Sequence, residues 1–305
     1  MKRGEDIVHL ITDAEVKDFN TIHKAFTAQR AKRMKVFFVY AHPNPHSLNA
    51  TLKDHAVGVL QRAGHEVRIS DLYAMKWKAV ADADDFPERD RSLPLEYMAA
   101  SGEAYENGTQ AKDIAAETEK LLWADAVIFQ FPVWWFGFPA ILKGWVDRLF
   151  AYKFAYGYKN AGNTYRYGDG ALAGKRALLS VTVGGPEIDY GPRGINGPLE
   201  HLLFPITHGT LFFPGMDVLP TFAVYGTARI DEASVEAAKR ALEQRMVRLF
   251  VDAPIPFRRQ NDGDYPDRHT LAPNIAAGIT GIPAHIASNP TGAPSAAPAL
   301  ETVKD

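Results

Sequence analysis

The sequence predicts an open, parallel α/β sheet with helices packed on both faces. Three observations predict it. Short apolar runs alternate with amphipathic stretches from residue 35 to about residue 250. The central runs are continuous rather than every-other-residue, as strands covered on both faces require. Five such runs, each followed by a helical stretch, suit crossover-linked parallel strands.

In order, Lys35–Ala41 (KVFFVYA) reads as the first strand and HPNPHS as the loop after it. A helix follows from Leu48 to Ala63, with Leu48, Leu52, Val59 and Leu60 on one side and Gly64 as its stop. Glu66–Leu72 is the second strand. The polar excursion Tyr73–Lys112 contains the acidic run DADDFPERD, read as solvated surface. Then come helix Asp113–Trp123, strand Asp125–Pro132, helix Pro139–Phe150 and strand Lys175–Val183. A helix near Gly197–Leu211, strand Asp217–Gly226 and helix Asp231–Phe250 complete the set. Residues 3–33 read as a short amphipathic helical extension, so the expected division is 1–33, a catalytic domain over 34–253, and an arm over 254–305. That last stretch holds eight of the twenty prolines: FRRQNDGDYPDRH resembles an ordered arm lying near a partner subunit, and residues 287–305 a disordered tail.

Composition narrows the function. Apolar residues make up 46% and charged residues 23% of 305, enough for a real core. A net charge of −2 gives no nucleic-acid or membrane footprint. Cysteine is absent, which removes disulfides, iron–sulfur clusters and cysteine nucleophiles and fits a reducing cytoplasm. The N-terminus lacks the apolar core of a secretory signal. The apolar stretch Ala126–Leu142 is short for a membrane span, carries Gln130, and is broken by Pro132 and Pro139.

In open sheets of this kind ligands sit at the carboxyl ends of strands. The loop His42–Asn49 enters a helix N-terminus, where free N–H groups and the positive dipole end suit a phosphate. Ser47, His42, His46 and Asn49 add donors; a plain capped turn explains the same residues. Pro43 and Pro45 prevent the helical alignment that would make His42 and His46 metal ligands, and no metal is expected. The loop Pro132–Gly137 carries Trp135 and Phe136, suited either to wall a flat ring or to ordinary packing. The loop Thr182-Val183-Gly184-Gly185, running on to Tyr190 and Asn196, is a glycine platform for a planar ligand or a tight turn. No GxGxxG follows a strand, and Gly168–Lys175 has neither P-loop spacing nor the strand before it. Phosphate donors, an aromatic wall and a glycine platform at one end of one sheet together point to flavin.

The segments AHPNPHSLNATLK, GHEVRISDLYAMKW, KDIAAETEKLLWADAVIFQFPVWWFGFPAILKGWVDRLF, KFAYGY and LLSVTVGGPEIDYGPRGINGPL resemble the NAD(P)H:quinone oxidoreductase (DT-diaphorase-like) family. The resemblance implies a flavodoxin-like three-layer sandwich on a five-stranded parallel sheet, with FAD, or alternatively FMN, as cofactor and NAD(P)H as co-substrate. It implies two-electron, ping-pong hydride transfer to quinone-like acceptors by a homodimer; the expected compartment, from the absence of cysteine, is the cytoplasm. The rival readings are an FMN-dependent azo- or nitroreductase and the flavin-bound regulatory subunit of a potassium-efflux system. Carried over by position, the flavin falls to His42, Ser47, Leu48, Asn49, Pro132, Val133, Trp134, Trp135, Phe136, Thr182, Val183, Gly184, Gly185 and Tyr190, with His46 beside them. The substrate lies against Trp135 and Phe136, with Tyr156 and Tyr158 reaching in from the other subunit. Catalytic roles fall to Tyr190 and Asn196. The sequence departs from the family at Trp134 and Glu96, where vertebrate members have glutamine, at His46, where they have threonine, and at Asn196, where a histidine partners the tyrosine.

Overall fold

The computed structural model describes residues 32–287. The expected N-terminal helix and most of the tail lie outside them.

The central strands β1 (Lys35–Tyr40), β3 (Ala126–Pro132) and β4 (Arg176–Thr182) are the continuous apolar runs, and almost every residue in them is buried. β2 (Glu66–Asp71) is the polar edge. All pairings are parallel, in the order β2-β1-β3-β4-β5. The expected fifth strand is interrupted. It consists of β5 (Asp217–Val218) and β6 (Phe222–Val224), both paired with β4 and parted by Pro220, which has no N–H to give a ladder.

Strand residues alternate between two cores. Phe37, Val39, Phe129 and Phe131 pack with Trp145 of α4 (Ala140–Leu149) and Ile114 and Leu121 of α3 (Lys112–Trp123). Val36, Phe38 and Ile128 pack with Leu52 and Leu60 of α1 (Leu48–Arg62) and Leu242 of α5 (Glu232–Val247). The result is the expected three-layer sandwich.

The excursion 73–112 departs from its reading in two ways. It contains a helix, α2 (Tyr97–Asn107), closed by Gly108 in the left-handed region. Its acidic run is not simply solvated surface: Asp84, Glu88 and Asp90 are exposed, but Asp85 is fully buried. Asp85 accepts from the buried Arg148 at 2.9 Å, from Lys78 at 3.2 Å and from the Tyr97 hydroxyl at 2.9 Å. Arg148 also reaches Asp113 at 2.8 Å and lies 4.5 Å from the Trp77 ring centroid. A carboxylate enters a core when such partners replace its water.

The expected helix near Gly197–Leu211 is broken into short turns, Leu199–Leu202, Phe204–Ile206 and a π-turn over Thr207–Phe212. The arm beyond 254 is irregular, as expected, and is anchored on its own chain: Ile255 N–H donates to Val218 O at 2.7 Å, and Arg259 reaches Asp217 at 3.3 Å.

Candidate functional site

The chain leaves β1 for β2 on one side and returns to β3 on the other. Strand order therefore reverses between β1 and β3, and the loops after β1, β3 and β4 line the resulting crevice.

The first loop is fixed by Asn44. Its N–H donates to His42 Nδ1 at 3.0 Å, and its Oδ1 accepts from His46 N–H at 2.9 Å. Ser47 caps α1, its Oγ accepting from Ala50 N–H at 3.2 Å and lying 3.4 Å from the Tyr40 hydroxyl. The first turn of α1 has no acidic residue, so the positive end of its dipole is uncompensated. Among the described residues no group of side chains is arranged to hold a metal.

The second loop is a two-residue hairpin turn. Trp134 and Gly137 exchange backbone hydrogen bonds at 3.2 and 3.1 Å. Trp135 and Phe136 between them have φ of 49° and 61°, a conformation that bulky residues rarely adopt. Trp135 is 97% exposed and Phe136 45%, so this aromatic pair is not core packing. The Trp134 ring lies 6.4 Å from that of His42, which joins the first two loops.

The third loop presents Gly184 to open space: a Cβ built there meets nothing within 4 Å. At Gly185 a Cβ would stand 3.3 Å from the Tyr190 ring, so that ring lies over the glycine. Tyr190 in turn packs 5.7 Å from Tyr225, whose hydroxyl pKa is pushed up by burial and then by the nearby Glu200 and Glu187. Asn196 donates its backbone N–H to Asp189 O at 2.9 Å and closes this loop, but no hydrogen bond joins it to the Tyr190 hydroxyl among the described residues.

Asn49 and Thr182 are buried, and their side chains are already occupied. Asn49 Nδ2 donates to Thr182 Oγ1 at 2.7 Å and Asn49 Oδ1 accepts from Gln130 Nε2 at 2.8 Å. One polar chain thus clamps the first, second and third loops from beneath. Gln130 was missed as a site residue; the signal was a lone amide inside the strand AVIFQFP. Pro132 and Val133 carry β3 into the turn, with Val133 N–H bonded to Thr182 O at 2.9 Å, while Val183 N–H bonds Val224 O at 2.8 Å. Leu48 packs partly against the α1 core. Tyr156 and Tyr158 lie apart from these loops in the chain, in half-buried positions against Tyr152 and Tyr165.

The arrangement fits a flavin: anion-binding N–H groups, an exposed aromatic wall held under strain, and glycines with no fold-internal reason to lack a side chain at Gly184. Comparison with known proteins agrees. Residues 34–246 match the model of a family described as having a flavodoxin-like fold. A ribosyldihydronicotinamide dehydrogenase-like protein, traD, of Penicillium crustosum is 48% identical over 237 residues, 76% of this chain and 87% of that protein. NAD(P)H dehydrogenase [quinone] 1 of Cavia porcellus is 37% identical, over 73% of this chain and 80% of its own. A solved structure of a provisionally named quinone reductase from Klebsiella pneumoniae is 51% identical, covers 83% of this chain and all of its own, and superposes with a TM-score of 0.80. The chain belongs to the NAD(P)H:quinone oxidoreductase family of flavodoxin-like proteins.

Proposed function

We propose that this protein is a flavin-dependent oxidoreductase that passes a hydride from NAD(P)H to quinone-like acceptors, with FAD as its cofactor. The observation that carries the reading is the strained, exposed Trp135–Phe136 turn beside the α1 N-terminus and the Gly184–Gly185 platform. A bound flavin supplies acceptance of the hydride at N5 and its release to the acceptor in two alternating half-reactions.

The chain's own residues do the rest. Ser47, His42, His46 and the first N–H groups of α1, beginning at Leu48, hold the phosphate end. Trp134, Trp135 and Phe136 wall the ring and seat donor and acceptor in turn at one place, which supplies orientation. The N–H groups of Gly184 and Gly185 and the Tyr190 hydroxyl would donate to the ring edge where negative charge gathers on reduction, while Val183, its own N–H bonded to Val224 O, fixes the start of that loop. Asn196 orders the Tyr190 loop. Tyr156 and Tyr158 complete the same site in a second copy, which makes the working unit a homodimer; its expected compartment is the cytoplasm. FAD is preferred to FMN because the excursion 73–112 provides cover for an adenine.

Heating the purified protein and chromatographing the released flavin tests the cofactor. Turnover of NADH, NADPH and dihydronicotinamide riboside with a soluble quinone tests the reaction; the riboside belongs in the panel because a 48% identical relative is named for it. A colourless protein that takes up neither flavin defeats the proposal. Flavin binding without turnover favours a regulatory subunit instead: an ancillary protein of a potassium-efflux system, KefF of Enterobacter, is 35% identical over 44% of this chain.

A further inference from the structure

Tyr156 and Tyr158 begin a loop, residues 156–169, that no strand of the sheet holds. Gly157, Lys159, Asn160, Gly162, Tyr167 and Gly168 all have positive φ. Such a run persists only where its surroundings fix it.

Tyr167 and Gly168 donate their N–H groups to Phe213 O and Phe212 O at 2.8 and 3.0 Å, and the remaining fixing contacts come from the C-terminal arm, some ninety residues later. Gln260 Nε2 donates to Asn163 O at 3.0 Å and to Arg268 O at 3.1 Å, and Gln260 N–H donates to Tyr167 O at 3.2 Å. Asn261 Nδ2 donates to Thr164 O at 3.0 Å and to Asp169 at 2.9 Å. Arg259 Nη1 donates to Gly168 O at 3.0 Å. Gln260 is only 3% exposed, although glutamine is ordinarily solvated. An open groove lined by Lys159, Tyr165, Asp169, Asn261, Tyr265 and Arg268 runs between arm and loop. These hydrogen bonds join the two along this seam.

A chain of contacts leads from the anchored segment to Tyr158. The Lys159 ammonium lies 5.4 Å from the Tyr158 ring centroid and 4.9 Å from that of Tyr165, with the two rings 6.1 Å apart. Moving residues 163–168 moves Tyr165, and with it the cation and Tyr158.

We infer that Gln260, assisted by Asn261, is a positioning residue for this tyrosine loop. The arm sets where Tyr158 stands, and through it how a planar acceptor is seated; Tyr156 is held separately, its ring 5.3 Å from that of Tyr152. The acceptor part rests on the reductase reading above, in which these tyrosines complete the site.

Gln260→Met keeps the side chain's length and removes both side-chain donor bonds. In the full-length, flavin-loaded protein, amide hydrogen exchange over residues 163–168 should accelerate at least about tenfold, the scale of a few lost buried hydrogen bonds. Exchange in β1, β3 and β4 and flavin content should stay as they were. KM for a soluble naphthoquinone should rise by about tenfold, the equivalent of ~1.4 kcal/mol, with kcat per flavin nearly unchanged. Asn261→Ala, at an exposed position, should move both readings the same way by less, and it serves if Gln260→Met does not fold. Unchanged exchange, or faster exchange with unchanged KM, overturns the inference, as does loss of flavin in step with KM. Absence of turnover in the parent protein defeats the reductase reading and the acceptor part with it, while the exchange measurement still decides the anchoring.

Discussion

Trp135 and Phe136 hold φ of 49° and 61° in a turn where asparagine or glycine would sit relaxed. Each costs of order 1–3 kcal/mol in that conformation. Phe136→Gly should therefore raise the Tm of the flavin-free protein, by about 2–4 °C for each kcal/mol relieved, while weakening flavin binding. Thermal melts with and without flavin check both halves; a lower Tm, or an unchanged shift on adding flavin, would sink the argument. Gly184 gives the complementary case. A methyl group there meets nothing in the free protein, so Gly184→Ala should leave Tm unchanged and weaken flavin binding by about tenfold, ~1.4 kcal/mol of lost approach. Titration of the flavin-free protein measures it. For Tyr190, loss of the hydroxyl in Tyr190→Phe should slow flavin reduction about ten- to a hundredfold in stopped flow, at ~1.4 kcal/mol per decade. Asn196→Ala should do less, because its visible bond is a backbone one to Asp189. An unchanged rate in Tyr190→Phe would leave the glycine amides holding the charge alone.

Individual elements were legible to different depths. The three central strands and helices α1, α3, α4 and α5 follow from apolar runs and helical stripes, because burial on two faces or on one leaves a periodic trace. Helix α2 left little trace. Ser101 and Gly102 sit in its middle, and Gly102 is needed there because a Cβ would stand 2.9 Å from the Tyr152 ring, a contact made fifty residues away in the chain. Only Gly108 marked its end. Asp85 was unreadable for the same reason: its chief partner, Arg148, is 63 residues distant. Asp85→Ala strands that buried guanidinium with one carboxylate fewer, and should cost about 3–5 kcal/mol in urea denaturation; a loss under ~1 kcal/mol would place the excursion's stability elsewhere. The arm has its own weak point. His208 is stacked 4.6 Å from Phe204 and 4.8 Å from Tyr167, with Phe257 and His285 of the arm at 5.1 and 6.0 Å. Burial, and then the nearby His285, depress its pKa to about 4. The unfolded chain takes up this proton near pH ~6.5, before the folded one does. The contribution is thus intact above that pH and is lost as the pH falls toward 4. Melting curves from pH 8 to 4 should show this loss in the parent and less of it in His208→Phe, which keeps the ring stack without the titrating group.

Across the whole molecule, the sequence brings the three loops to one end of the sheet and points to one ligand, but the bonds that tie the loops together are illegible in it. Each loop announces itself locally, by a cap, an aromatic pair or paired glycines. The clamp of Gln130, Asn49 and Thr182 joins positions 81 and 133 residues apart, and no local pattern carries such a distance. Trp135, Ile188 and Ile195, exposed by 97, 80 and 89%, belong to the two loops after β3 and β4, apolar surface that a second copy would cover. Sedimentation of the holoprotein should accordingly give twice 33.7 kDa; a monomer with full turnover would remove Tyr156 and Tyr158 from the partner's site. The clamp's span also bears on biosynthesis. At 5–20 residues per second a ribosome needs on the order of ten seconds between making Asn49 and making Thr182. Until β4 is made, the third loop is absent and the clamp has no Thr182 to close on. A flavin that binds only the finished sheet adds its binding energy to folding after the last clamp closes, about 2.7 kcal/mol at a hundredfold excess over Kd. Cells short of flavin should then accumulate less of this protein, through turnover of chains that complete the fold and fail to keep it.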